Sequence, residues 1–173
     1  MAKDKESAEA SRPEEAQVLT SLWGKMLHLN RDGTIPADNP YFNDPTATGQ
    51  NKAIWARGLR VPFTFSIQAG TGRIFINDIG EHSWEEVNEG VAAANYGWNI
   101  TEGPTTDPAF RSPLFVYANG SGSEQGCAIT GGAFYNPPVN HFPAEYTGTY
   151  FYTDGTIQFC SMGMGQERRP DVR

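Results

Sequence analysis

Apolar positions along this chain recur with the period of strands rather than helices. "PFTFSIQ" (62–68) and "RIFINDI" (73–79) are short runs rich in Phe and Ile, joined through Ala69-Gly70-Thr71-Gly72, and two such runs around a Gly-bearing turn predict a β-hairpin. Along the second run Ile74 and Ile76 share one face with Asp78, whereas Phe75 and Ile79 share the other with Asn77. Both faces are apolar until the strand ends, so it is expected to be covered on both sides. "WEEVNEG" and "NYGWNI" predict two further strands. Past a polar, Pro-bearing stretch at 102–113 come "LFVYAN", "CAITGGAFY" and "GTYFYTD".

Upstream, "SLWGKMLHLN" (21–30) puts Leu22, Met26 and Leu27 near helical spacing, yet it runs into Arg31-Asp32-Gly33, and a strand entering a tight turn is the preferred reading. "TIPADNPYFNDPTATGQ" (34–50), rich in Pro, Asn, Asp and Thr, reads as loop. Residues 1–17 are charged and poor in large apolar side chains, a disordered or weakly helical lead-in, which leaves 18–173 as one domain.

The chain also repeats itself. "GRIFIND" begins at Gly72 and "GTYFYTD" at Gly148, and both fit G-x-[IY]-F-[IY]-x-D, ending at Asp78 and Asp154. Each follows another strand-like run. Two similar antiparallel units suit the blades of a β-propeller, and chance similarity of one short pattern is the alternative.

Composition narrows the partners. The 173 residues carry 13 Lys and Arg against 20 Asp and Glu, a net charge of −7, with no basic run to track phosphates. Nucleic acid and an anionic membrane surface are therefore poor partners. No window approaches the roughly 18 consecutive apolar residues of a membrane span, and the polar start carries no apolar signal-peptide segment. Cys127 and Cys160 are the only cysteines and match neither CxxC nor zinc spacing. They are either a disulfide, closing a loop of about 34 residues, or two free thiols.

Chemistry concentrates in "FINDIGEHSWEEVN" (75–88), where Asp78, Glu81, Glu85 and Glu86 surround Gly80. A hard dication such as calcium wants oxygens from carboxylates and main-chain carbonyls, and a Gly turn beside acids offers both. The spacing is not that of an EF-hand, and the alternative is that Asp78 caps a turn while the glutamates are solvated. In "WARGLRVPF" (55–63), Arg57 and Arg60 flank Gly58, and a guanidinium is suited to clamping a planar carboxylate through paired hydrogen bonds. A surface ion-pair role is the alternative. His28, His82 and His141 are scattered, and no HExxH, GxSxG or phosphate loop is present.

Taken in order, "LWGKMLHLNRDGTIPADNP", "IWARGLRVPFTF", "GRIFINDIGEHSWEEVNEG", "ANYGWNITEG", "CAITGGAFYNP" and "FPAEYTGTYFYTD" closely resemble the glucose/sorbosone dehydrogenase family. The resemblance implies an all-β fold, a six-bladed β-propeller of which this chain holds about two blades plus one strand. It implies oxidation of an aldose at its anomeric carbon, with hydride passing to pyrroloquinoline quinone (PQQ) held by calcium and electrons leaving to an external acceptor. Arg60 matches the arginine that contacts the quinone's carboxylate, but Val61 replaces the Asn that commonly follows. Gly80 and Glu81 fall where two main-chain carbonyls coordinate the calcium, and "NYGW" matches a structural signature.

The family's histidine base lies upstream of anything present, and none of the three histidines matches it. No catalytic residue is assigned. The resemblance therefore implies a partial, inactive sugar dehydrogenase, periplasmic or extracellular in its full-length form, with unpaired blade faces prone to self-association. A non-catalytic propeller binding module is the alternative, favoured by Val61.

Overall fold

The computed structural model describes residues 12–120, 122, 125–155 and the backbone of 158–162. They divide into two compact units, one lying within residues 1–61 and 91–112 and the other within residues 62–90 and 113–173. The first is built on a small antiparallel pair, β1 (Lys25–Leu27) and β2 (Ile54–Arg57). The strand expected within 21–30 is thus present. The stretch 34–50, expected as loop, is a run of turns that ends in a 3-10 turn at Gly49–Ala53. Leu19, Ala47 and Ile54 form this unit's buried core.

Pro13–Ala16, inside the lead-in, is one 3-10 turn with Ala16 buried. Lys25 holds it: its ammonium donates to the carbonyls of Glu15 at 2.7 Å, Ala16 at 3.0 Å and Trp23 at 2.7 Å. Those three acceptors use all three ammonium hydrogens, which is how a buried lysine avoids an unmet donor. Burial, and then the charge of Arg57 opposite it in the ladder, lowers the Lys25 pKa to about 8.

The second unit contains two antiparallel sheets. One runs β3 (Pro62–Ile67), β4 (Ile74–Asp78), β5 (Trp84–Gly90), β6 (Phe115–Ala118) in spatial order. The other runs β7 (Ile129–Phe134), β8 (Tyr150–Asp154), β9 (Gln158–Met162). The expected hairpin is β3–β4, with Ile67 paired to Ile74 across the turn. The two copies of the repeated pattern are β4 and β8, the second strand of each sheet. Repetition in sequence is therefore repetition in structure.

"NYGWNI" is not a strand. Only Asn95 pairs, in an isolated bridge to Arg57, after which the chain turns. Gly97 sits at φ +97, and a Cβ there would run into Thr101 Cγ2, so the segment is a glycine-dependent turn rather than an extended run.

Phe75, Val87, Tyr117, Ile129, Tyr150 and Tyr152 form the buried core between these two sheets. Phe75 meets Tyr150 edge-on at 5.0 Å, and Tyr117 stacks on Tyr152 at 5.7 Å. Asn77 is bonded within this core: its Nδ2 donates to Thr64 Oγ1 at 3.1 Å and to the Gly131 carbonyl at 2.9 Å, and its Oδ1 accepts from the Tyr150 hydroxyl at 3.0 Å. Gly132 is fitted to that arrangement. A Cβ there would land on the Tyr150 hydroxyl.

Strand β3 turns its apolar residues outward. Phe63, Phe65 and Ile67 are 57%, 55% and 58% exposed, while the polar Thr64 and Ser66 are half-buried.

Candidate cofactor and metal site

Arg60 belongs to the first unit. Strand β2 ends at Arg57, and Gly58 follows at φ +76, where a Cβ would collide with Asn95 Oδ1. Beyond the buried Leu59, the Arg60 guanidinium lies over the Trp98 ring, 5.6 Å from its centroid. A cation over an indole face is attracted by the ring quadrupole, worth ~0.5–1 kcal/mol at an exposed site and more when desolvated. Trp98 is itself fixed, its N–H donating to the Gly58 carbonyl at 2.9 Å and its carbonyl accepting from Gln17 Nε2. Asn95 Oδ1 accepts from Gly97 N–H at 3.1 Å and from Gln17 Nε2 at 3.0 Å. The "NYGW" turn thus builds the platform on which Arg60 rests.

Arg57 has a different place. Its Nη1 donates to the Gln17 carbonyl at 3.2 Å, its guanidinium lies over Tyr41, and its Nε is buried without a hydrogen-bond partner. That is a packing role.

Gly80 and Glu81 belong to the second unit, in the turn of residues 79–83 between β4 and β5. Gly80 is buried, and Glu81 is exposed beside His82, with Oε2 and Nε2 3.7 Å apart. The neighbouring acids are not solvated. Asp78, Glu85 and Glu86 are all buried, so the alternative of solvated glutamates holds for Glu81 alone and fails for Glu85 and Glu86. Asp78 and Glu86 are cross-strand partners, and Glu86 Oε2 accepts from Asn88 Nδ2 at 2.9 Å. Asn88 Oδ1 is buried with no hydrogen-bond partner. Glu85 faces the other way, its Oε2 accepting from the Ile129 N–H at 3.0 Å.

Among the described residues, no three or more His, Cys, Asp and Glu gather as a metal-holding group. A dication on this turn would therefore draw on main-chain oxygens, with the buried carboxyl groups of Asp78, Glu85 and Glu86 on the flanking strands. That combination fits a hard cation and not a soft one.

Asp154 has a role the sequence did not suggest. It accepts the Tyr117 hydroxyl at 2.7 Å and the N–H groups of Cys127 and Ala128, each at 3.1 Å, so it shapes the entry to β7. Burial, reinforced by the hydrogen bond to Asp154, pushes the Tyr117 pKa strongly upward. The repeated terminal Asp of the sequence pattern was the available signal. The buried Lys25 had none.

The histidines are structural or exposed: His28 Nδ1 pairs with Asn39 Oδ1 at 2.7 Å, His82 is 80% exposed, and the His141 N–H bonds Tyr135. Cys127 is an exposed free thiol, and the side chain of Cys160 lies outside the described residues. No helix among the described residues is long and apolar enough to cross a membrane.

Repeated antiparallel sheets packed face to face through an aromatic core define an all-β chain of β-propeller blades. The glucose/sorbosone dehydrogenase family model matches residues 6–154, and the chain belongs to that family. It is 30% identical over 128 residues to the aldose sugar dehydrogenase YliI of Escherichia coli K12, covering 70% of this chain and 34% of that protein. Over 96 residues it is 35% identical to quinoprotein glucose dehydrogenase B of Acinetobacter calcoaceticus, covering 56% of this chain and 18% of that one. The crystal structure of the soluble aldose sugar dehydrogenase from Escherichia coli in its apo form superposes with a TM-score of 0.75 at 23% identity. That alignment covers 91% of this chain and 46% of the other. The chain thus spans less than half the length of each of these proteins.

Proposed function

We propose that this chain carries part of the cofactor site of a PQQ- and calcium-dependent sugar dehydrogenase that oxidises an aldose at its anomeric carbon. The observation that carries the reading is the Arg60–Trp98 platform, set within a chain of this family. Held on that ring, the guanidinium would present its fork of N–H donors to a quinone carboxylate. The carbonyls of Gly80 and Glu81 would hold calcium, and the buried carboxylates beside them would favour a dication. When bound, the quinone would supply the two-electron acceptor for the sugar, and an external acceptor would reoxidise it.

Nothing described in this chain is positioned as the base that takes the sugar hydroxyl proton, so the isolated polypeptide is expected to be inactive. Dye-linked oxidation of glucose, with calcium and PQQ supplied, tests this. No turnover is expected, and turnover above a no-protein control would overturn the claim of incompleteness. The full-length parent would work in the periplasm or outside the cell.

Val61, 40% exposed beside Arg60, favours a second reading. An apolar side chain there gives no polar contact to a quinone, as suits a propeller module that binds partners without catalysis. A cofactor titration that shows no binding would support this second reading.

A further inference from the structure

The turn of residues 79–83 is suspended between two buried side chains that both reach strand β7. On its β4 side, Asn77 donates to the Gly131 carbonyl. On its β5 side, Glu85, fully buried, accepts the Ile129 N–H at 3.0 Å. The register of β7 against β8 shifts between Ile129 and Gly131, where these two bonds are made. The exit of the turn is also tied, since the Ser83 carbonyl accepts the Asn119 N–H at 2.9 Å.

We propose that Glu85 is a positioning residue: by binding the Ile129 amide it makes the second sheet hold the Gly80–Glu81 turn in one conformation. Residues 44 positions apart are joined by this bond. A carboxylate accepting a buried amide forms a charge-assisted hydrogen bond, and its loss strands a buried N–H. The inference rests on the reading of this turn as the calcium-holding segment, and it assigns to the neighbouring sheet the task of keeping those carbonyls fixed.

The test compares Glu85→Ala and Glu85→Gln with Phe134→Leu, which loosens the same core at the far end of β7. Hydrogen exchange of the amides at 80–83 is the first readout. Glu85→Ala should speed it by about tenfold or more, the scale of a lost charge-assisted bond. Glu85→Gln, which keeps an acceptor oxygen, should restore most of the protection. Phe134→Leu should leave these amides protected. If Glu85→Ala fails to fold, Glu85→Asp, which retains the charge but shortens the reach, takes its place. Unchanged exchange in the Glu85 variants, or equal acceleration by Phe134→Leu, overturns the proposal.

Calcium titration of each variant by calorimetry is the second readout, with affinity expected to fall in Glu85→Ala and hold in Phe134→Leu. A wild-type chain that takes up no calcium overturns the metal reading of the turn. The exchange data then decide by themselves whether Glu85 holds it.

Discussion

Gly132 faces the hydroxyl of Tyr150, and no side chain fits between them. Gly132→Ala should therefore cost ~1–3 kcal/mol, the range of overpacking in a closed core, measured as a lower urea midpoint. Lys25→Ala should be destabilising by ~1–3 kcal/mol, because the buried Ala16 carbonyl and the part-buried carbonyls of Glu15 and Trp23 lose their shared donor. Little of this was legible in the sequence. The glutamates after Gly80 read as ligands or as a solvated face, because the burial of Glu85 is decided by a partner far along the chain, the Ile129 N–H. By residue type and spacing Arg57 and Arg60 looked alike, and only the family resemblance pointed to Arg60; in the structure both guanidinia lie over rings, and Arg57 is set apart by its bond to the Gln17 carbonyl and its buried Nε.

Strand β3 is the element with the least expected orientation. Alternation located it correctly, but period 2 identifies two faces without saying which is covered. Here the Thr64 face meets Asn77, and Phe63, Phe65 and Ile67 are left outward. Such a stripe is prone to association. Sedimentation should detect concentration-dependent oligomers, and Phe65→Ser with Ile67→Thr should reduce them without lowering stability. Persistence of the oligomers in the double variant would place the association elsewhere. Strand β4, read as apolar on both faces, and β8, read as its repeat, were the most legible elements. "NYGWNI" misled because its aromatics imitate a strand while Gly97 demands a positive φ.

At the scale of the whole molecule, the core contains ionisable rings. Burial pushes the Tyr150 pKa up to about 12, and Tyr117 is raised as well. In the unfolded chain these phenols titrate near pH 10, so above that pH the unfolded state loses protons that the folded state keeps. Stability should then fall as pH rises, by about 1.4 kcal/mol per pH unit for each such group until its folded pKa is reached. Tyr150→Phe should show a shallower alkaline decline in denaturant midpoints than the parent chain.

Family and blade pattern were legible across most of the molecule because strand periodicity and turn glycines are local. The candidate site was legible only as separate pieces, Arg60 in one unit and Gly80 with Glu81 in the other. The account's central claim, the proposal that this chain contributes residues to a quinone and calcium site, is tested most directly by calorimetric titration of the chain with PQQ in the presence and absence of calcium. It predicts calcium-dependent binding that weakens by about tenfold or more in Arg60→Ala, the scale of a lost charge-assisted contact. Absence of heat at high micromolar quinone, or identical binding by the variant, would contradict it.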